Sequence, residues 1–169
     1  MLLEKQLNSC IVGQKDATSS IVSALLRAKF SAGKGPLGSF LFCGPTGVGK
    51  TEIVKMLARY YVGSENAIVR FDMSEYSDTT SLTKLVGSPL GYVGSGSGSL
   101  ITGVKSNPQA IVLFDEVEKA HPDVFNIFLQ ILSDGRLSDS RGSVTSFKDT
   151  IVILTSNIGS KQIINPYMY

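Results

Sequence analysis

Gly44-Pro45-Thr46-Gly47-Val48-Gly49-Lys50-Thr51 fits the pattern G-x-x-x-x-G-K-[ST], and it constrains the fold more than any other stretch of the chain. Such a loop works only between a preceding strand and a following helix. The apolar run Phe40-Leu41-Phe42-Cys43 predicts a buried strand. Thr51 to Tyr61 carries Ile53, Val54, Leu57 and Tyr60/Tyr61 at helical spacing. A loop without bulky side chains can turn its backbone N–H groups inward, and the helix N-terminus adds positive potential, so phosphate oxygens find several donors at short range. Gly44, Pro45, Thr46, Gly47, Val48 and Gly49 are the expected cradle. Lys50 would reach the β- and γ-phosphates, and the Thr51 hydroxyl would ligand Mg²⁺. The bland alternative is a chance glycine turn, and the strand-loop-helix context argues against it.

The rest of the chain alternates in the same way. Leu2, Leu3, Leu7 and Ile11 predict a short helix leading to a loop at Val12-Gly13-Gln14. A second helix is expected over Asp16 to Phe30, with Ala17, Ile21, Ala24, Leu25 and Ala28 on its inner face. Ser31 to Gly38 is a Gly/Pro-rich surface loop. Further strands are predicted at Ala67–Phe71, Ile111–Phe114 and Ile151–Leu154, and short helices at Ser81–Val86 and Pro122–Leu132. In the last of these, Val124, Phe125, Phe128, Leu129 and Leu132 are expected to face inward. Pro89 to Ser99 is rich in glycine and serine and is expected to be mobile. Leu137 and Val144–Phe147 flank Arg141-Gly142 as a hairpin. Strands alternating with helices predict a parallel sheet covered on both faces, with the ligand at the carboxyl ends of the strands.

Two acids stand at such an end. Asp115 and Glu116 follow four apolar residues, and an acidic pair there suits a phosphate loop: Asp115 would hold the Mg²⁺ shell, and Glu116 would orient and polarise the attacking water. Taken alone, the pair could equally be solvated acids opening a helix. Thr155-Ser156-Asn157 follows the last strand. Asn157 either hydrogen-bonds the γ-phosphate or the water, or closes an ordinary turn, and spacing does not choose between these. Tyr92 lies between glycines in Gly91-Tyr92-Val93-Gly94, as a grip for a ligand or a polypeptide or as part of a linker. His121, before Pro122, reads as a helix-start residue with no catalytic role.

Composition narrows the remaining classes. The net charge of +2 over 169 residues implies no polyanion-binding field. Cys10, Cys43 and His121 have no metal-ligand spacing, and two distant cysteines suit a reduced compartment. No apolar run reaches about 18 residues, so no membrane span is expected. Only 18% of residues are charged, and mean hydropathy is +0.16. That points to a surface covered by another domain or subunit.

Seven segments together resemble one family. Val12-Gly13-Gln14, GPTGVGKTE from Gly44, FDMSEY from Phe71, GSPLGYVG from Gly87, LFDEVEKAHPDVFN from Leu113, LQILSDGRLSDSRG from Leu129 and LTSNIGS from Leu154 resemble the second ATPase module of Clp-type AAA+ unfoldases, nearest the ClpC and ClpB branches. The resemblance implies an α/β P-loop NTPase fold, a three-layer sandwich with a mainly parallel five-stranded sheet. It implies that residues 1–169 form the large subdomain only, ending before the arginine finger and the helical lid. By position, Ile11 and Val12 resemble the segment that packs on adenine. Glu52, next in the matched loop, joins the nucleotide-binding residues. Asn157 resembles the sensor of the γ-phosphate. Tyr92, with Val93 beside it, resembles a substrate-gripping pore-loop tyrosine, and the hairpin from Leu137 to Phe147 resembles a second pore loop. Where the family usually has an aromatic and acids after GYVG, Ser95-Gly96-Ser97-Gly98-Ser99 stands here, which predicts a more mobile and less charged loop.

The function so implied is ATP hydrolysis that powers unfolding and translocation of protein substrates through a hexameric ring. ATP and Mg²⁺ are the cofactors, unfolded or tagged polypeptides are the partners, and a Clp-type peptidase is a candidate further partner. Neither nucleic acid nor membrane is expected. The alternative is a nucleotide-binding assembly module with little or no turnover. An arginine finger is worth roughly 10³ to 10⁵ in rate, so the isolated chain is expected to bind nucleotide and hydrolyse it weakly. The expected compartment is the cytoplasm, with the plastid stroma or the mitochondrial matrix as alternatives.

Overall fold

The computed structural model describes residues 6–7, 15–30, 33–88 and 97–159. Helix α1 spans Lys15–Lys29, followed by strand β1 (Gly38–Cys43), helix α2 (Lys50–Leu57), β2 (Ile68–Asp72), α3 (Thr79–Val86) and α4 (Ser99–Ser106). Then come β3 (Ile111–Asp115), α5 (Val124–Asp134), the short strands β4 (Arg136–Ser138) and β5 (Val144–Ser146), and β6 (Ile151–Ser156).

Four strands form one parallel sheet in the order β1-β6-β3-β2. The two inner strands, IVLFD and IVILTS, are the most continuously apolar, as strands covered on both faces must be. Alternate residues of β3 serve opposite faces. Ile111 and Leu113 join Ile151, Ile153 and the apolar sides of α1 and α2. Val112 and Phe114 join Val152 and the buried residues of α3, α4 and α5. The three layers expected from the sequence are therefore present. The sheet among the described residues has four strands, however, where the resemblance implies five. The chain's four apolar runs are all used in it, and the two remaining short strands pair antiparallel with each other as a separate ribbon.

Three local expectations are corrected. Helix α1 buries Thr18, Ile21, Val22 and Leu25, with Ala17, Ala24 and Ala28 only partly covered; the larger side chains set the rotation because they remove more apolar area from water. In α5 the buried residues are Val124, Phe128 and Ile131, whereas Phe125 and Leu129 are 44% and 65% exposed. The helix read as continuous from Thr51 to Tyr61 is α2 followed by a wider π-turn, Ala58–Val62, which ends at the left-handed Gly63.

Helix α4 is an element that the glycine- and serine-rich reading of this region missed. Its Leu100, Ile101 and Val104 are fully buried or nearly so. Gly98 sits just before it, where a Cβ would lie 2.1 Å from the Leu85 carbonyl oxygen at the end of α3. Only a glycine permits that approach. Helix α3 is started by Asp78, whose carboxylate accepts the Ser81 N–H at 2.9 Å. The Thr80 hydroxyl and that N–H hold the Asp78 carboxyl below its ordinary range.

Candidate functional site

The loop from Gly44 to Gly49 leaves the end of β1 and enters α2. The Gly44 N–H donates to the Ser156 carbonyl at 3.1 Å, which ties the loop to the end of β6. Gly47 and Gly49 take φ values of 86° and 94°. A Cβ at either would meet nothing within 4 Å, so the left-handed backbone, and not crowding, calls for glycine there. No side chain caps the first turn of α2. Its leading N–H groups therefore remain available to an anion, and the helix dipole favours one.

Beside this loop lies a cleft of about 430 Å³, lined by the loop, Thr51, Glu52, Arg70, Asp115, Glu116 and Asn157. Register explains the gathering. Asp72 pairs with Asp115, Phe114 with Leu154, and Cys43 with Ser156, so the polar residues ending β1, β6, β3 and β2 lie along one rim. Phe114 stacks on Phe71 at 5.7 Å between ring centres and lies 4.7 Å from Phe128. This fixes the strand immediately before the two acids.

Side-chain bonds cross the cleft in a chain. The Lys50 ammonium donates to the Gly44 carbonyl in a close contact, to Pro45 O at 3.2 Å and to Ser156 O at 3.4 Å. It also donates to Asn157 Oδ1 at 2.7 Å. The other end of the same amide, Asn157 Nδ2, donates to Glu116 Oε1 at 3.0 Å. Asp115 is engaged on both oxygens, with Arg70 Nη2 at 2.5 Å from Oδ2 and the Thr155 hydroxyl donating to Oδ1. Thr155 Oγ1 in turn accepts the Glu116 N–H at 3.1 Å. Glu116 is the one non-glycine residue with positive φ among those described (φ 56°, ψ 54°). A side chain pays for that conformation, and such outliers concentrate where chemistry is done.

These residues fit the groups implied. The loop offers backbone N–H groups and a lysine for phosphate. Thr51 and Asp115 line the same cleft with the hard oxygen donors that suit Mg²⁺. Of the expected residues, the structure brings together the loop, Lys50, Thr51, Glu52, Asp115, Glu116 and Asn157. Val12, Tyr92 and Val93 lie outside the described residues, as does Ile11. Gly87 and Ser97 form an isolated antiparallel bridge, and the Ser140 hydroxyl of the hairpin donates to Gly87 O at 3.1 Å. His121 accepts the Asp123 N–H on Nδ1 at 3.2 Å and donates its own N–H to Tyr76 O at 2.8 Å, as a helix-start residue does. Arg70, Thr155 and Glu118 reach the site without having been singled out. Their only sequence signal is a polar residue at or near a strand end, and it acquires meaning from the strand register.

The residues match known proteins over most of the chain. The family described as "AAA domain (Cdc48 subfamily)" matches residues 35–167. A ClpA homolog described as the ATP-binding subunit of an ATP-dependent Clp protease, from Cyanidium caldarium, is 54% identical over 95% of this chain. The chaperone protein ClpB of Clostridium perfringens is 52% identical over 94% of it. The chloroplastic chaperone protein ClpC3 of Oryza sativa subsp. japonica is 52% identical over 95% of it. The chain spans about a fifth of the length of these relatives: 19%, 19% and 18%.

Proposed function

Because this chain belongs to the AAA domain family (Cdc48 subfamily), as a Clp-type AAA+ module, we propose that it binds Mg-ATP on residues 44–51 and hydrolyses it to drive the unfolding and translocation of protein substrates. The observation that carries this reading is the Lys50–Asn157–Glu116 chain of hydrogen bonds. It brings Lys50, Asn157 and Glu116 side by side, which supports their proposed roles as phosphate-binding cation, γ-phosphate sensor and base.

The loop N–H groups and Lys50 bind the triphosphate, with Gly44, Pro45, Thr46, Gly47, Val48, Gly49 and Glu52 around it. Val12 is the residue proposed to contact the base. Thr51 and Asp115 would hold Mg²⁺, which would supply positive charge to offset that of the phosphates. Glu116 orients a water and takes its proton as oxygen adds to the γ-phosphorus and the bond to the β–γ bridging oxygen breaks, giving ADP and phosphate. Asn157 reports the presence of the γ-phosphate. Tyr92, with Val93, grips the polypeptide in the pore of a hexamer of the longer protein. The partners proposed are unfolded or tagged polypeptides, other copies of the chain, and a Clp-type peptidase as a candidate. The domain proposed is an AAA+ large subdomain over residues 1–169. The compartment proposed is the cytoplasm, with the plastid stroma or mitochondrial matrix as alternatives. No helix among the described residues is long and apolar enough to cross a membrane.

A second reading, a nucleotide-binding assembly module with little turnover, is favoured by one observation. Lys50, Asp115 and Glu116 are all engaged by protein groups. Calorimetry with Mg-ATPγS and a steady-state ATPase assay with and without unfolded casein separate the two. Binding with casein-stimulated turnover in the assembled ring supports the unfoldase. Binding without stimulation in any assembly state supports the assembly module, and absence of binding sinks both. Glu116→Gln is expected to leave affinity unchanged and to lower turnover by about 10² to 10⁴.

A further inference from the structure

Glu118 lies in the 3-10 turn Val117–Lys119 after β3, and the phosphate chemistry above gives it no task. Its carboxylate faces the end of the neighbouring strand β6. Oε1 accepts the Asn157 N–H at 3.1 Å. Oε2 is buried and has no hydrogen-bond partner among the described residues. An unpartnered carboxylate oxygen away from water is costly, and a neutral acceptor could hold one N–H at smaller cost. Burial is the largest single influence on this group and opposes its ionisation. The N–H groups of Glu118 itself and of Asn157, the Ser156 hydroxyl and the charge of Lys119 together outweigh burial and hold the carboxyl below its ordinary range. Glu118 therefore stays charged where it is, and a charged acceptor holds an N–H about twice as strongly as a neutral one.

The N–H that it holds belongs to a residue whose side chain has two exacting contacts. Asn157 Oδ1 takes the Lys50 ammonium at 2.7 Å, and Nδ2 reaches Glu116 at 3.0 Å. A backbone shift of about 1 Å would carry both beyond hydrogen-bond range. The turn is also held by the Gly44 N–H on Ser156 O at 3.1 Å and by the Ile158 N–H on Ser156 Oγ at 3.1 Å, and neither bond uses the Asn157 N–H.

We propose that Glu118 is a positioning residue: its carboxylate pins the Asn157 backbone so that the Asn157 amide spans Lys50 and Glu116 and meets the terminal phosphate of ATP. This rests on the reading of Asn157 as the γ-phosphate sensor. Glu118 is not among the residues that line the cleft, and it acts through Asn157.

The test compares Mg-ATPγS with Mg-ADP by calorimetry on this chain and on Glu118→Ala, Glu118→Gln, Asn157→Ala and the double alanine variant. Asn157→Ala is expected to lower the preference for ATPγS over ADP. Glu118→Ala should lower it by a similar factor, about tenfold, with ADP affinity unchanged. Glu118→Gln keeps Oε1 as an acceptor and should recover most of the preference. The double variant should be no worse than Asn157→Ala, because the two residues act in series. A purely structural role would instead weaken ADP and ATPγS alike. In the nucleotide-free chain, hydrogen exchange at the Asn157 amide should speed up about tenfold in Glu118→Ala and stay slow in Glu118→Gln. Should the alanine variant not fold, Glu118→Asp, one carbon too short to reach, takes its place with the same expectation. A normal preference in Glu118→Ala beside a lost preference in Asn157→Ala overturns the role of Glu118 and leaves the sensor standing. A normal preference in Asn157→Ala overturns both, and a wild-type chain that binds neither nucleotide overturns the proposed function as well.

Discussion

Lys50 donates to three backbone carbonyls and to the Asn157 amide, all oxygen acceptors of the kind a triphosphate would offer. Truncating it removes the charge that the loop needs to hold an anion. Lys50→Ala is accordingly expected to weaken Mg-ATPγS binding at least about tenfold by calorimetry, whereas Glu116→Gln should not. Glu116 raises a separate question, because its backbone is left-handed. Glycine adopts that conformation freely, and an L side chain is penalised by roughly 1 kcal/mol or more. Glu116→Gly is therefore expected to be about 1 kcal/mol more stable than Glu116→Ala in urea melts, the reverse of the usual order of these two residues. Equal midpoints would mean that the turn relaxes when the carboxylate is gone. Lys50, Thr51, Asp115 and Glu116 were legible in the sequence because each stands next to its cue, a glycine-rich loop or an apolar run. Arg70, Thr155 and Glu118 were not, because what they touch is set by pairing between strands that are more than 35 residues apart along the chain (45, 40 and 39 for their contacts).

Among the elements, the strands were the easiest to foresee. Four unbroken apolar runs have few other uses in a chain that alternates strand and helix. Helix faces were harder. Helix α5, VFNIFLQILSD, is apolar around most of its circumference, so periodicity alone could not say that Val124, Phe128 and Ile131 would be covered and Phe125 and Leu129 left outside. Helix α4 was hidden by its surroundings: glycines and serines precede it, yet Leu100, Ile101 and Val104 have the i, i+1, i+4 spacing of one buried stripe. Gly98 is the hinge of that packing. Gly98→Ala would drive a methyl group into the Leu85 carbonyl, 2.1 Å from the ideal Cβ position. The expected loss is about 1–3 kcal/mol, seen as a lower urea midpoint with an unchanged slope. Wild-type stability would show that the start of α4 can swing away from α3 without cost.

At the scale of the whole molecule, the sheet sorts its tasks by position. The inner strands β3 and β6 lead into Asp115, Glu116 and Asn157, and both their faces are buried. The outer strands are guarded unequally. Strand β2 carries Arg70 and Asp72 along IVRFD, whereas β1 reads GSFLFC, with no charge, and leaves Leu41 60% exposed. Among the described residues β1 has a neighbour on one side only, β6. An edge with no strand partner among the described residues, flanked by apolar side chains, is a template for strand addition by a second molecule. The consequence is colloidal: in concentrated solution this chain should grow aggregates outward from β1 while its nucleotide cleft stays intact. Light scattering against concentration should rise steeply for the wild type and far less for Leu41→Lys, which sets on that margin the kind of charged gatekeeper that β2 already has.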